Sequence, residues 1–295
     1  MFGLLNLNKP AGWTSRDVVN RVQRFVRPAK VGHAGTLDPL ATGVLVVCIG
    51  PATRLISHVQ QQSKCYDATF LLGCTSPSDD TESDVVPIDG AHQPTICEIE
   101  SALPRFVGRI DQLPPQYSAL KVDGERAYKL ARRGEEVALE PRTVEVYELV
   151  VHSYDYPDLR IRMRCGSGTY VRSVGRDLAR SLGTGAVMSA LTRTAIGDFR
   201  LCDAHEVESL DVASVERNMQ PPLRAVPHLR QMQLGENQLV EIRNGRQICA
   251  TQLTGREIDE GEQIAAVDER GNLVALLTEK QTGRLGPSHN FPQPD

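Results

Sequence analysis

Apolar side chains along this chain fall into short blocks of two different periods. Phe2–Asn8 alternates as a strand does, and Lys9-Pro10-Ala11-Gly12 is a turn. Thr14 or Ser15 then caps a helix that carries Val18, Val19, Val22, Phe25 and Val26 on one face, stopped by Pro28. Val44-Leu45-Val46-Val47-Cys48-Ile49 is apolar at every position, the pattern of a strand covered on both sides. A short helix near 53–61 and a strand at about 65–72 are expected next.

Residues 74–94 are polar and acidic, with Pro77, Pro87 and Pro94, and are expected to form an exposed excursion. The pattern then predicts a helix over 95–108, an extended segment over 112–121 with two prolines, and a helix at about 124–133. Strands are expected at 143–152 and 159–166, and Gly166-Ser167-Gly168 turns into a helix from Thr169 to Leu182. Without a regular βαβ alternation, this series predicts an α+β sheet protein rather than a doubly wound one. From 229 a small β-rich module is expected, with a helix over 236–244, a strand near 247–253 and a hairpin of 263–267 with 273–278. This divides the chain into 1–225, 229–284 and a disordered tail, 285–295.

Composition narrows the function classes. The 295 residues are 40% hydrophobic and 24% charged, as in an ordinary globular protein. The longest apolar stretch, 43–50, is far short of the roughly 20 residues needed to span a bilayer. No basic leader precedes the first strand, so the cytoplasm is the expected compartment. The seven cysteines are scattered, the closest pair being nine apart, and neither a disulfide framework nor metal-ligand spacing emerges. The seven histidines are equally dispersed, and no metal site is expected.

The net charge of −4 conceals a strong asymmetry. Residues 74–100 hold seven acids and no Lys or Arg, which leaves the rest of the chain at +3. Residues 101–133 hold seven basic groups against three acids. Arginines also gather at 16, 21, 24 and 27 and at 160, 162, 164, 172, 176 and 180. Such clusters can line a polyanion-binding face or lie on a solvated one.

The densest punctuation is GHAGTLDPLATG at 32–43, with Asp38 in its middle. Glycine and proline at this spacing mark a shaped loop anchored on the apolar strand that follows, a place where chemistry is commonly mounted. By itself, an Asp before Pro is more often a turn residue.

This loop, with the upstream Asn8-Lys9-Pro10-Ala11-Gly12, resembles the TruB family of RNA pseudouridine synthases, which act on position 55 in the T-loop of tRNA. Further blocks in the same order carry the resemblance: Lys64-Cys65-Tyr66, Pro114-Pro115-Gln116-Tyr117-Ser118-Ala119-Leu120-Lys121, Gly168-Thr169-Tyr170-Val171-Arg172 and Ala190-Leu191-Thr192-Arg193-Thr194. The resemblance implies a mixed, mostly antiparallel catalytic sheet and a small C-terminal PUA-like RNA-binding module. That module is net acidic here, with seven Lys plus Arg against ten Asp plus Glu over 229–295.

The resemblance also implies roles. Asp38 would act on the nucleotide, on the base, on C1′ or on a ribose proton. Arg172 would hold that carboxylate ionised, since a carboxyl in a water-poor pocket otherwise tends to protonate. Tyr66 would stack on the target base and serve proton transfer at C5, and Tyr170 would form a pocket wall. His33 would fill the gap left by an extruded base. Leu191 would close the substrate-binding pocket through its backbone, and Lys9 and Pro10 would support the loop there. Isomerising uridine needs no redox change and no external group, so a cofactor-free site suffices. The expected partner is the T-stem-loop of tRNA, met by a monomer with no guide RNA, no obligatory protein partner and no membrane.

Two competing readings remain at this point. A non-catalytic or guide-dependent RNA-binding protein, or a tRNA-folding chaperone, would carry the same basic clusters. An aspartyl-phosphate phosphotransferase would need a second nearby acid and Mg²⁺, and the loop offers no Asp-x-Asp.

Overall fold

The computed structural model describes residues 1–117, 139–249 and 258–292, with isolated positions between 118 and 138. Its frame is a ten-stranded mixed sheet. The strands that matter here are β1 (Gly3–Lys9), β2 (Val31–His33), β3 (Thr42–Ile49), β4 (Lys64–Leu72), β5 (Gly108–Gln112), β6 (Arg142–Asp155), β7 (Asp158–Cys165), β8 (Ala186–Ile196) and β9 (His205–Glu206). They lie in the order β9-β1-β3-β8-β4-β7-β6-β5, and β2 pairs with the far end of β3, at Val47–Ile49. The β1–β9 and β3–β8 pairs are parallel and the others along this path are antiparallel, as expected of the class.

Helices cover the sheet where the apolar patterns require it. In α1 (Ser15–Val26) the Thr14 hydroxyl and the Asp17 carboxylate close a capping box. Val18, Val22 and Val26 of α1 pack on Leu5, Leu7, Leu45 and Val47. The other side of β3, with Val44, Val46 and Cys48, is buried in a second cluster that reaches Phe291 near the C-terminus. The unbroken apolar run of β3 therefore reflects burial on both faces.

A third cluster lies under α2 (Val171–Ser181), whose Val174 and Leu178 pack with Phe70 of β4. The approach is close because residue 175 is glycine: a Cβ there would overlap the Phe70 ring. Gly43 permits a second close approach, since a Cβ would run into the Arg193 backbone and its φ of +99° suits glycine.

The C-terminal module is a separate five-stranded sheet of β10 (Arg230–Gln233), β11 (Ile248–Cys249), β12 (Gln263–Val267), β13 (Leu273–Gln281) and β14 (Arg284–Asn290). It touches the main sheet through stacked Phe2 and Phe291, with ring centroids 5.2 Å apart. Three expectations need correction. The tail from 285 is not disordered through Asn290, because β14 pairs with both β13 and β11. Residues 74–94 are not simply exposed: Ser78 and Asp80 are buried. Arg172 and Arg176 are buried as well, so only part of the second arginine cluster is available as a surface. The helix expected at 124–133 lies largely outside the described residues. Among the described residues no helix is long and apolar enough to cross a membrane.

Gly175→Ala offers a test of the α2–β4 contact. Alanine gains about 1 kcal/mol in helix propensity, but forcing a methyl into a packed contact costs about 1–3 kcal/mol. The urea midpoint is expected to fall, whereas an unchanged or higher midpoint would show that the contact is loose.

Candidate active site

The Asp38 loop joins β2 to β3 and is tied down along its length. Leu37 donates its N–H to the buried Ser15 hydroxyl at 2.9 Å, and Gly12 N–H reaches the Pro39 carbonyl at 2.8 Å. The Lys9 ammonium bonds the carbonyls of Pro10, Trp13 and Pro39. Burial pushes the Lys9 pKa down to about 8, although nearby Asp38 and Glu82 favour its charge. These ties leave the loop little freedom, which is the condition for holding a reactive group in one place.

Asp38 faces a cavity of about 400 Å³, within the range of small-molecule sites. Tyr66 from β4, Tyr170 and Arg172 from the start of α2, and Leu191 and Arg193 from β8 share its walls. Tyr170 is fixed by the buried Gln112 amide, which accepts its N–H at 2.8 Å and donates to its carbonyl at 3.0 Å. Four of the sequence-predicted residues, Asp38, Tyr66, Tyr170 and Arg172, thus meet in one place, with Leu191 beside them.

Arg172 is the electrostatic centre. Nη2 lies 3.1 Å from Asp38 and Nη1 2.8 Å from Asp80. The guanidinium also donates to the Ser78 and Tyr117 carbonyls at 2.8 and 3.1 Å. Asp80 is fully buried, whereas about 35% of the Asp38 side chain remains exposed. Asp80 in turn accepts from the Ser78 hydroxyl and the Glu82 N–H. One buried cation therefore serves two carboxylates, one locked in structure and one presented to the cavity.

Burial raises the Asp38 pKa above the ordinary carboxylate value, and Arg172 opposes that rise. Asp80 adds to the rise, while Lys9 and Arg193 also favour the charged form. Burial likewise raises the phenol of Tyr66 and lowers the ammonium of Lys64, on the same cavity wall, to about 8.

Some expected residues lie elsewhere. Lys9 is fully buried under the loop and spends its donors on carbonyls, so it supports the loop and is not positioned to bind substrate. Pro10 supplies one of those carbonyls and is not part of the cavity wall. His33 stands half-buried on β2 opposite Val47, also outside that wall.

Two residues of the site, Asp80 and Arg193, are not marked as functional by the sequence. Nothing local distinguishes Asp80 from the acids around it. Arg193 belongs to the Ala190–Thr194 motif, and its spacing of two from Leu191 on a strand is the signal that it shares the same face.

Known proteins resemble this chain over most of its length. Residues 23–171 match the TruB family pseudouridylate synthase (N terminal domain). The chain belongs to the TruB family of pseudouridine synthases. A protein of Dehalococcoides mccartyi named tRNA pseudouridine synthase B is 38% identical over 303 residues, covering 100% of this chain and 99% of that one. One of the same name from Arthrobacter sp. is 41% identical over 285 residues, covering 94% and 92%. Among solved structures, a Cbf5-Nop10-Gar1 complex contains a chain with a TM-score of 0.74 at 27% identity, covering 96% of this chain and 79% of that one. A chain in an H/ACA RNP bound to a substrate RNA containing 2′-deoxyuridine matches with a TM-score of 0.75 at 25% identity, covering 99% and 86%. The matched residues contain the Asp38 loop and the Tyr66 strand and end immediately before Arg172.

Asp38→Asn keeps the shape of the side chain and removes its charge. Isomerisation in a single-turnover assay is expected to be lost. Because its surroundings disfavour the ionised carboxyl and Asp80 still partners Arg172, the melting temperature is expected to stay level or rise. Substantial turnover would remove Asp38 from the chemistry, and a large drop in melting temperature would make its charge structural.

Proposed function

We propose that this protein isomerises uridine to pseudouridine at position 55 in the T-loop of tRNA, without a guide RNA or an obligatory protein partner. The observation that carries the reading is the Asp38 carboxylate held at 3.1 Å from a buried guanidinium on the wall of a nucleoside-sized cavity, in a chain of this family. Full-length relatives named for tRNA support the choice of RNA. That the relatives are named as single proteins supports the stand-alone form, and a monomer working in the cytoplasm is part of the same proposal.

The reaction breaks the C1′–N1 bond, turns the base and joins C1′ to C5. N1 gains a proton and C5 loses one, so the formula is unchanged. Asp38 supplies the ionised carboxylate, Arg172 keeps it charged, and Tyr66 serves as the wall on which the base lies. A stacked uridine cannot reach a carboxylate on a cavity wall, so the nucleotide is extruded, at a cost of a few kcal/mol. His33, outside the cavity on the strand leading into the Asp38 loop, is the group assigned to the vacated stack.

Exposed Arg160, Arg162 and Arg164 alternate along one face of β7 and offer charge to phosphates. Arg162 and Arg164 are partly offset by Asp67 and Glu148. The C-terminal sheet, read as a PUA-like module that runs from 229 to Asn290 beside a catalytic unit of 1–225, would extend this contact.

The test is a T-stem-loop transcript labelled with tritium at uridine C5, mixed with purified protein alone. One equivalent of tritium is expected to be released, with the product mapping to the position equivalent to 55. Tight binding without release would instead support a guide-dependent or chaperone role.

A further inference from the structure

Arg193 heads the fully buried side chains by size, yet its strongest contacts are main-chain carbonyls. Nε donates to Val44 at 2.7 Å and Nη2 to Gly35 at 3.1 Å. A guanidinium stays charged in a protein, and burying it is costly unless its donors are used. Two carbonyls of the frame would be satisfied more cheaply by a neutral donor, so the charge points to a role in the site, beyond its distant support of the ionised Asp38.

The sheet register supplies one. Arg193 on β8 is the direct partner of Tyr66 on β4, which puts the two side chains next to each other on the face that lines the cavity. The partner of Tyr66 on its other side is Met163 of β7, whose thioether is a weak acceptor. The Arg193 charge also reaches the phenol, opposing the rise that burial imposes on the Tyr66 pKa.

We propose that Arg193 is a positioning residue for Tyr66: it donates to the phenol oxygen and thereby turns the phenol's own O–H into the cavity, toward an acceptor atom of the bound base. A guanidinium has donors and no acceptor, so the phenol cannot donate to it. Met163 gives the proton no comparable alternative. The same side chain grips the carbonyl of Gly35, three residues before Asp38, so the phenol and the carboxylate loop are held by one rigid fork. The role at the base rests on the reading of the cavity as a uridine isomerisation site, whereas the contact with Tyr66 does not.

Two measurements test it separately. The first is a double-mutant cycle of Arg193→Lys and Tyr66→Phe, read as single-turnover rates on the T-stem-loop. Lysine keeps the charge and loses the fork. The rate is expected to fall ten-fold or more when Arg193 is changed in the native background, and less than two-fold when Tyr66 is already Phe. An equal fold-loss in both backgrounds would reduce Arg193 to a support for the loop and overturn the proposal. The second uses no RNA and leaves Arg193 in place, so it stands even if the lysine variant does not fold. The ¹⁵N–¹H signals of the Arg193 guanidinium are compared between the native protein and Tyr66→Phe. A clear shift is expected, and unchanged signals would overturn the proposal. If native protein fails to isomerise the hairpin, the functional reading falls while the guanidinium signals still decide the contact.

Discussion

The site depends on one buried guanidinium shared between two carboxylates. Arg172 is 5% exposed and lies within ion-pair distance of both Asp38 and Asp80. Burying a charge costs several kcal/mol unless it is paired and its donors are used. Asp80 and the Ser78 carbonyl satisfy Arg172 from the structural side. Asp38 can therefore hold part of its surface open to the cavity without leaving the cation uncompensated. Remove Asp80 from this picture and the catalytic carboxylate would also have to be the structural partner of Arg172.

Much of the surrounding fold fixes that arrangement in space. Helix α2 presents Arg172 from its first turn and is seated on β4 through the Gly175–Phe70 contact. One turn further along, Arg176 pairs with Asp79 at 2.8 Å, so consecutive acids of the 74–94 segment meet two arginines of the same helix. The main chain of that segment is stitched to β8 by the Met188–Asp79 and Thr81–Met188 hydrogen bonds. The opposite wall is held by Lys9 and Ser15 under the Asp38 loop.

What the sequence made legible follows local physics. The helix α1 and strand β3 carry their burial in period and composition, and the Gly-Pro loop around Asp38 marks itself. Asp80 was hidden because its buried partner is an arginine some ninety positions later in the chain, at 172. In sequence it is one acid in an acidic run, which ordinarily stays in water. Arg193 was hidden for a related reason: its role comes from the register of β8 on β4, which the motif around it does not specify. Strand β14 was missed because Gly286 and Pro287 punctuate it and only Leu285 among its residues is a large apolar side chain. Its backbone pairing with β13 and β11, not hydrophobic alternation, makes it a strand.

The pH dependence of Asp38 joins structure to chemistry. A carboxyl whose pKa is raised by folding costs stability while ionised, and that cost is relieved as pH falls through the folded pKa. The same protonation removes the charge on which isomerisation depends. The decisive measurement is therefore the ¹³C titration of the Asp38 carboxyl, assigned with Asp38→Asn, set beside the pH profile of the single-turnover rate. The carboxyl is expected to titrate above 3.8 and the rate to be lost through the same pH range. A rate lost in a different range from the carboxyl would contradict an isomerisation driven by an ionised Asp38, whereas a carboxyl that titrates at or below 3.8 would show that Arg172 outweighs burial.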